Sequence, residues 1–178
     1  MIYKAPFYAV TKSVYSALST MTDGLDWFDS SVPINEIEDL FKAHTEFAYG
    51  IFGASTADCQ PNKDMAVWQC SLSLDVYSNY KGRKAISVQL ENLLNYFSSD
   101  TGWNALQAAL EAEGFVMISV SVGALAINPP IYSEIGVWQS GSTILTFKLL
   151  INSFFTSSSI SKSFNTNSSL FNANLNPS

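Results

Sequence analysis

Between residues 67 and 97 the chain switches its apolar period once, from the alternation of a strand to the stacking of a helix. Trp68, Cys70, Leu72, Leu74 and Val76 fall on one side, and Gln69, Ser71, Ser73, Asp75 and Tyr77 on the other. Strict alternation of this kind marks a half-buried strand in an antiparallel setting. Ser78 and Asn79 stop the strand, and either can cap a helix. Beyond them Ile86, Leu90, Leu93, Leu94 and Phe97 stack on one helical face, while Arg83, Lys84, Gln89, Glu91 and Asn92 form the wet side. A strand that runs through S-N-Y-K-G-R-K into an amphipathic helix is therefore the centre of the expected fold.

The flanking segments supply its partners. Phe7, Val10, Val14, Leu18 and Met21 lie three or four apart and predict a helix over residues 7–21, with Pro6 near its first turn. The run at residues 25–28, followed by D-S-S-V-P, predicts a first edge strand ending at Pro33, and residues 35–42 a turn or two of helix capped by Asn35. Residues 47–54 predict a second strand, with Gly50 and Gly53 as bulges or points of close approach. Residues 55–65 have the composition of a loop, and S-S-D-T-G after residue 97 that of another. Trp103, Leu106 and Leu110 predict a short helix with Gly114 as its C′ residue. Val116, Ile118, Val120 and Val122 predict one side of a strand that Asn128, Pro129 and Pro130 end or interrupt. Q-S-G-S after Trp138 has turn residues, and residues 143–151 alternate with apolar residues on both faces, as in a central or doubly covered strand.

These elements predict an α+β fold: a mostly antiparallel or mixed β-sheet with two main α-helices packed on one face, plus an extended C-terminal arm. The 178 residues suit one domain, residues 1–155. At residue 156 the composition turns Ser/Asn-rich, with Ile160, Phe164, Leu170, Phe171 and Leu175 isolated and no sustained period. Residues 156–178 read either as a disordered tail or as an arm whose spaced apolar residues dock on an adjacent subunit.

Composition narrows the function. Nine basic against fifteen acidic residues leave a formal charge of −6, which argues against a nucleic-acid-binding surface. Only 13% of residues are charged, which suits a protein packed against neighbours or a soluble domain with neutral loops. No apolar run is long enough for a membrane helix, and the first residues lack a signal-peptide layout, so the expectation is a protein used without export. Cys70 reads as a small core residue and Cys59 as a loop residue. His44, the one histidine, has no second histidine to share a metal, and it reads as a surface or packing residue. Glu36, Glu38 and Asp39 read as a solvated helix face, as do Glu111 and Glu113. Neither a nucleophile elbow nor a phosphate-binding glycine loop is present, so the inventory predicts no enzyme, cofactor or metal.

The run D-V-Y-S-N-Y-K-G-R-K-A at the strand-to-helix junction resembles the tail-completion or tail-terminator (head–tail joining) proteins of bacteriophages. In that family a strand closes with aromatic–Ser–x–aromatic–x–Gly–Arg before a helix, and the matching positions are Tyr77, Ser78, Tyr80, Gly82 and Arg83. The preceding order of helix, short strand and aromatic strand agrees, and G-S-T-I-L-T-F-K-L-L-I-N is similar to the family's final strand. The resemblance covers residues 7–153; the stretch between Asn35 and Phe47 and the polar tail depart from it.

The resemblance implies a structural virion protein of the phage neck or tail, assembled in the host cytoplasm. It implies a ring of about six or twelve copies at the head–tail junction or tail end. Its partners would be connector, neck or tail-tube proteins, with DNA passing through the lumen without specific binding and no membrane involved. Subunit-interface candidates are Tyr77, Tyr80 and Arg83, with Ile160, Phe164, Leu170 and Phe171 of the arm. Arg83 reads as a loop-holding ion pair, a subunit contact or a solvated first-turn residue. The competing expectation is a small monomeric ligand-binding module with a pocket lined by Trp68, Trp103 and Trp138.

Overall fold

The computed structural model describes residues 4–21, 25–29, 39, 47–61, 66–133 and 136–151. The expected short helix over residues 35–42 (apart from Asp39), His44 and the whole of 156–178 lie outside the described residues. Three helices are described: α1 (Phe7–Leu18), α2 (Lys84–Phe97) and α3 (Asp100–Ala112). Seven strands form a mixed sheet: β1 (Asp26–Phe28), β2 (Ala48–Pro61), β3 (Ala66–Ser78), β4 (Phe115–Val122), β5 (Ala126–Ile127), β6 (Ile131–Ser133) and β7 (Gly136–Ile151). The sheet runs β1-β2-β3-β7-β4, with β5 and β6 also paired to β7; only β1–β2 is parallel. The arrangement is α+β, as expected.

β3 and β7 are the spine. Their antiparallel register carries Leu72 beside Leu145 and Cys70 beside Phe147, so the inward rows of both strands fall on one face. Trp68, Cys70, Leu72, Leu74 and Val76 are all buried there, as their alternation predicts. Ile86, Leu90, Leu93 and Phe97 of α2 close over this row, with Leu106 and Leu110 of α3 and Val10, Val14 and Leu18 of α1 beside them. Leu94, expected on the same helical face, is only half-buried. Burial holds the Cys70 thiol protonated, its pKa pushed up to about 11, in keeping with a small core residue.

Several local expectations give way to tertiary contacts. α1 ends at Leu18, not Met21, and Phe7 is exposed: Ser19 N–H donates to the Tyr15 carbonyl and Thr20 Oγ1 to that of Ala17, closing the helix. Ser78 and Asn79 cap no helix. Ser78 Oγ accepts from Tyr80 N–H at 3.1 Å, and Asn79 clamps the neighbouring strand, its Oδ1 accepting from Phe47 N–H at 2.7 Å and its N–H donating to the Phe47 carbonyl at 3.2 Å. Residues 55–61 are strand, not loop: Thr56 and Ser71 hydroxyls meet at 2.6 Å across β2–β3, while Ala57 and Cys59 lean on the core. Their polar composition is that of an edge strand wet on one side. S-S-D-T-G opens α3, because Ser99 Oγ accepts from Gly102 N–H and Asp100 sits at the positive end of the helix. That third helix nearly equals the other two in length, so the expected two-helix layer has three members.

β4 holds one irregularity. Met117 pairs with Leu149 and Ser119 with Lys148, leaving Ile118 as an extra residue. Phe115 and Met117 point into the core before this bulge, and Val120 and Val122 after it. The expected row of Val116, Ile118, Val120 and Val122 is therefore broken in two, and Ile118 is exposed. Gly114 is the C′ residue of α3 as expected, with φ +83°.

Q-S-G-S is not a turn but the middle of β7. Gly141 is there for space: a Cβ would meet Ile86 Cγ2 at 2.5 Å, the Ala126 carbonyl at 2.9 Å and Leu90 Cδ1 at 2.9 Å. The glycine lets α2 lie directly on the sheet. Gly50 plays the same part for the Trp27 ring, and the Phe52/Ser55 register shift places a bulge at Gly53, both as the sequence suggested. β7 is central as expected, but its second face is not fully covered, for Ile144 is 48% exposed. Gly141→Ala should destabilise the fold by about 1–3 kcal/mol through overpacking against α2, read as a lower urea midpoint with an unchanged m-value.

Candidate functional site

The long strand β7 outruns its partner β3. β3 stops at Ser78, opposite Gln139, whereas β7 begins at Gly136 and pairs there with β6 alone among the described residues. The β6–β7 ribbon thus extends past the end of β3 by three residues, roughly 10 Å. Its cross-strand pairs are Ile131 with Trp138 and Tyr132 with Val137. Paired residues share a face, so one side carries Ile131 and Trp138 and the other Tyr132 and Val137. Tyr132 is 78% exposed, Ile131 51% and Val137 37%, and Leu125 and Ile127 at its base are exposed too. A two-stranded ribbon is marginal alone in water, and this one is apolar on both faces.

Beside it lies an aromatic stack on the second face of the sheet. Tyr49 is 5% exposed, with Tyr77 stacked on it at 5.3 Å, Phe47 at 5.7 Å, and Phe28 and Trp138 edge-on at 6.2 and 6.1 Å. Trp138 joins the ribbon's root to this stack. Burial, then the neighbouring Tyr77, push the Tyr49 phenol up to about 12. Burial and then Asp75 raise Tyr77.

The expected interface residues do not act as one group. Tyr77 is half-buried in the stack, and Tyr80 is half-buried in the turn, its carbonyl accepting from Gly82 N–H at 2.7 Å. Gly82, at φ +156°, makes the tight approach to the helix. Arg83 is exposed immediately before α2 and makes no ion pair among the described residues. Lys81 and Lys84 are exposed beside it. Three cations therefore crowd the positive end of a helix, where like charge is unfavourable. Ile160, Phe164, Leu170 and Phe171 lie outside the described residues.

The ribbon itself escaped the sequence reading. Its signal was present: the residues between Glu113 and Lys148 hold a single charge, Glu134. Asn128, Pro129 and Pro130 nevertheless read as the end or an interruption of a strand, and Trp138 as the approach to a turn. The three tryptophans of the pocket reading do not share a face: Trp68 faces the core, Trp103 packs on that core from α3, and Trp138 meets Tyr49 on the second face. A separate cleft of about 600 Å³ lies between the end of α1 and β1, lined by Tyr15, Leu18, Met21, Leu25, Asp26 and Trp27 among others. No helix among the described residues is long and apolar enough to cross a membrane.

Compared with known proteins, the chain matches no family model and no curated protein sequence.

Since the folded pKa of Tyr49 lies above the ordinary 10, its buried phenol favours the folded state fully below pH 10, and that contribution is lost as pH rises toward 12. Tyr49→Phe should flatten the loss of stability between pH 10 and 12 and remove the last tyrosinate absorbance step.

Proposed function

We propose that this chain is a ring-forming structural subunit of a phage neck or tail: a tail terminator, completion protein or neck connector that joins tail to head and lets DNA pass. The observation that carries the reading is the β6–β7 ribbon, apolar on both faces and exposed at Ile131, Tyr132 and Val137. A ribbon reaching past its own sheet covers itself by lying on a neighbour, and a head-to-tail contact of that kind closes into a ring when its rotation permits. The strand-to-helix junction at Tyr77, Ser78, Tyr80, Gly82 and Arg83 supports the phage resemblance, because it joins the central strand β3 to α2. The net charge of −6 suits a lumen through which DNA slides without sticking.

Light scattering after size exclusion, with negative-stain microscopy, tests the reading. The purified chain should form closed rings, and the double variant Ile131→Ser, Tyr132→Ser should remain folded by circular dichroism yet run as a monomer. A wild-type monomer at every concentration defeats the proposal and favours a ligand-binding module built on the α1–β1 cleft.

Arg83 separates local from assembly effects. Arg83→Glu should raise the stability of the isolated subunit by about 0.3–1 kcal/mol, because it complements the α2 dipole. If Arg83 lies at a subunit contact, the same variant should shift the assembly midpoint to higher protein concentration.

A further inference from the structure

The two edges of the sheet are guarded unequally. Among the described residues β2 is an edge beyond its short pairing with β1, and it carries a bulge at Gly53, the charge of Asp58 and a terminal Pro61. Bulges, charges and prolines are the usual guards against strand addition. At the opposite edge β4 reads F-V-M-I-S-V-S-V: eight residues, β-forming, without charge or proline, paired to β7 alone among the described residues. Among the described residues its guards are the Ile118 bulge and, at its first residue alone, Lys4, whose ammonium lies over the Phe115 ring. Such an edge is a template for another strand.

β4 also has two chemically distinct rows. Phe115, Met117, Val120 and Val122 continue the core, whereas Ser119 and Ser121 are exposed on the second face. A strand added here needs apolar residues on one side and small hydroxyls on the other. Residues 157–166 of this chain, S-S-S-I-S-K-S-F-N-T, have that division. Ile160, Lys162 and Phe164 fall on one row, and Ser157, Ser159, Ser161, Ser163 and Asn165 on the other. The stem of Lys162 can lie along apolar surface with its ammonium at the rim. Twenty-seven residues follow Ile151, enough chain to span roughly 90 Å when extended.

Resting on the self-assembly reading above, we propose that residues 157–166 of one copy add as a strand to the free edge of β4 in the next copy. Ile160 and Phe164 extend the neighbour's core and the serine row continues Ser119 and Ser121. Donation between copies is favoured over folding back. β7 ends opposite Phe115, so its own chain would have to hop over β4 and then run parallel to it, whereas a neighbour's arm can run antiparallel, the better-paired direction.

Amide hydrogen exchange by mass spectrometry tests this on the full chain, on a chain ending at Phe155 and on full-length Ile160→Asp, Phe164→Asp. In the full chain β4 amides should be protected, and protection should fall on dilution as assemblies dissociate. In both variants β4 should exchange about tenfold faster or more while α2 and β3 keep their protection, which shows that the subunit is folded. A synthetic peptide of residues 156–168 added to the truncated chain should restore protection at β4. Equal β4 exchange in all three proteins overturns the proposal, as does protection that is unchanged by dilution, the mark of an arm folded on its own sheet. Rings that persist in the truncated chain with unprotected β4 overturn it while leaving the ring reading intact. A monomeric full chain defeats the ring reading, and with it donation between copies.

Discussion

Everything in this molecule hangs on the contact between α2 and the β3–β7 pair. The helix rests directly on the strands because Gly141 offers no side chain where Ile86 and Leu90 descend. That approach sets the depth of the core, and α1 and α3, packed on one another, fill what remains beside α2. Asn79 then fixes the neighbouring strand, holding the start of β2 to the end of β3 by two hydrogen bonds with Phe47. Hydrophobic contact thus sets the thickness of the layer pair, and a polar clamp sets the alignment of its strands.

The legible parts of the sequence were those in which periodicity and burial coincide. β3 and α2 could be read because each inward side chain ends in the same core and each outward one does not. Residues 55–61 could not, since a wet edge strand has the composition of a loop and its pairing with β3 is a tertiary fact. Q-S-G-S was misread for a different reason: glycine serves equally for turning a chain and for making room, and only the position of α2 tells which. Ser78 and Asn79 have the chemistry of caps but spend it on the Tyr80 amide and on Phe47. The prolines interrupt the run, one of the two readings open to them, since they separate β5 from β6 along the same partner; the ribbon was hidden because Q-S-G-S after Trp138 has turn residues.

The apolar side chains left in solvent are not scattered evenly. Leu125, Ile127, Ile131, Tyr132 and Val137 come from one continuous piece of chain, and the aromatic stack anchors its root through Trp138. The stack makes the root stiff while the tip stays exposed. On the proposed ring reading, a packed base with an uncovered end suits a contact between subunits, because affinity is lost when a contacting element must first be ordered.

The bulge at Ile118 has a further consequence for how this chain can change in length. Removing that one residue would let the two rows of β4 alternate without interruption, since Met117 and Val120 already face the same way across the gap. The same deletion within β3 would exchange its two rows and expel the core. The strand carries a spare link, and insertions or losses in descendants of this sequence have a place to accumulate without disturbing the layer beneath.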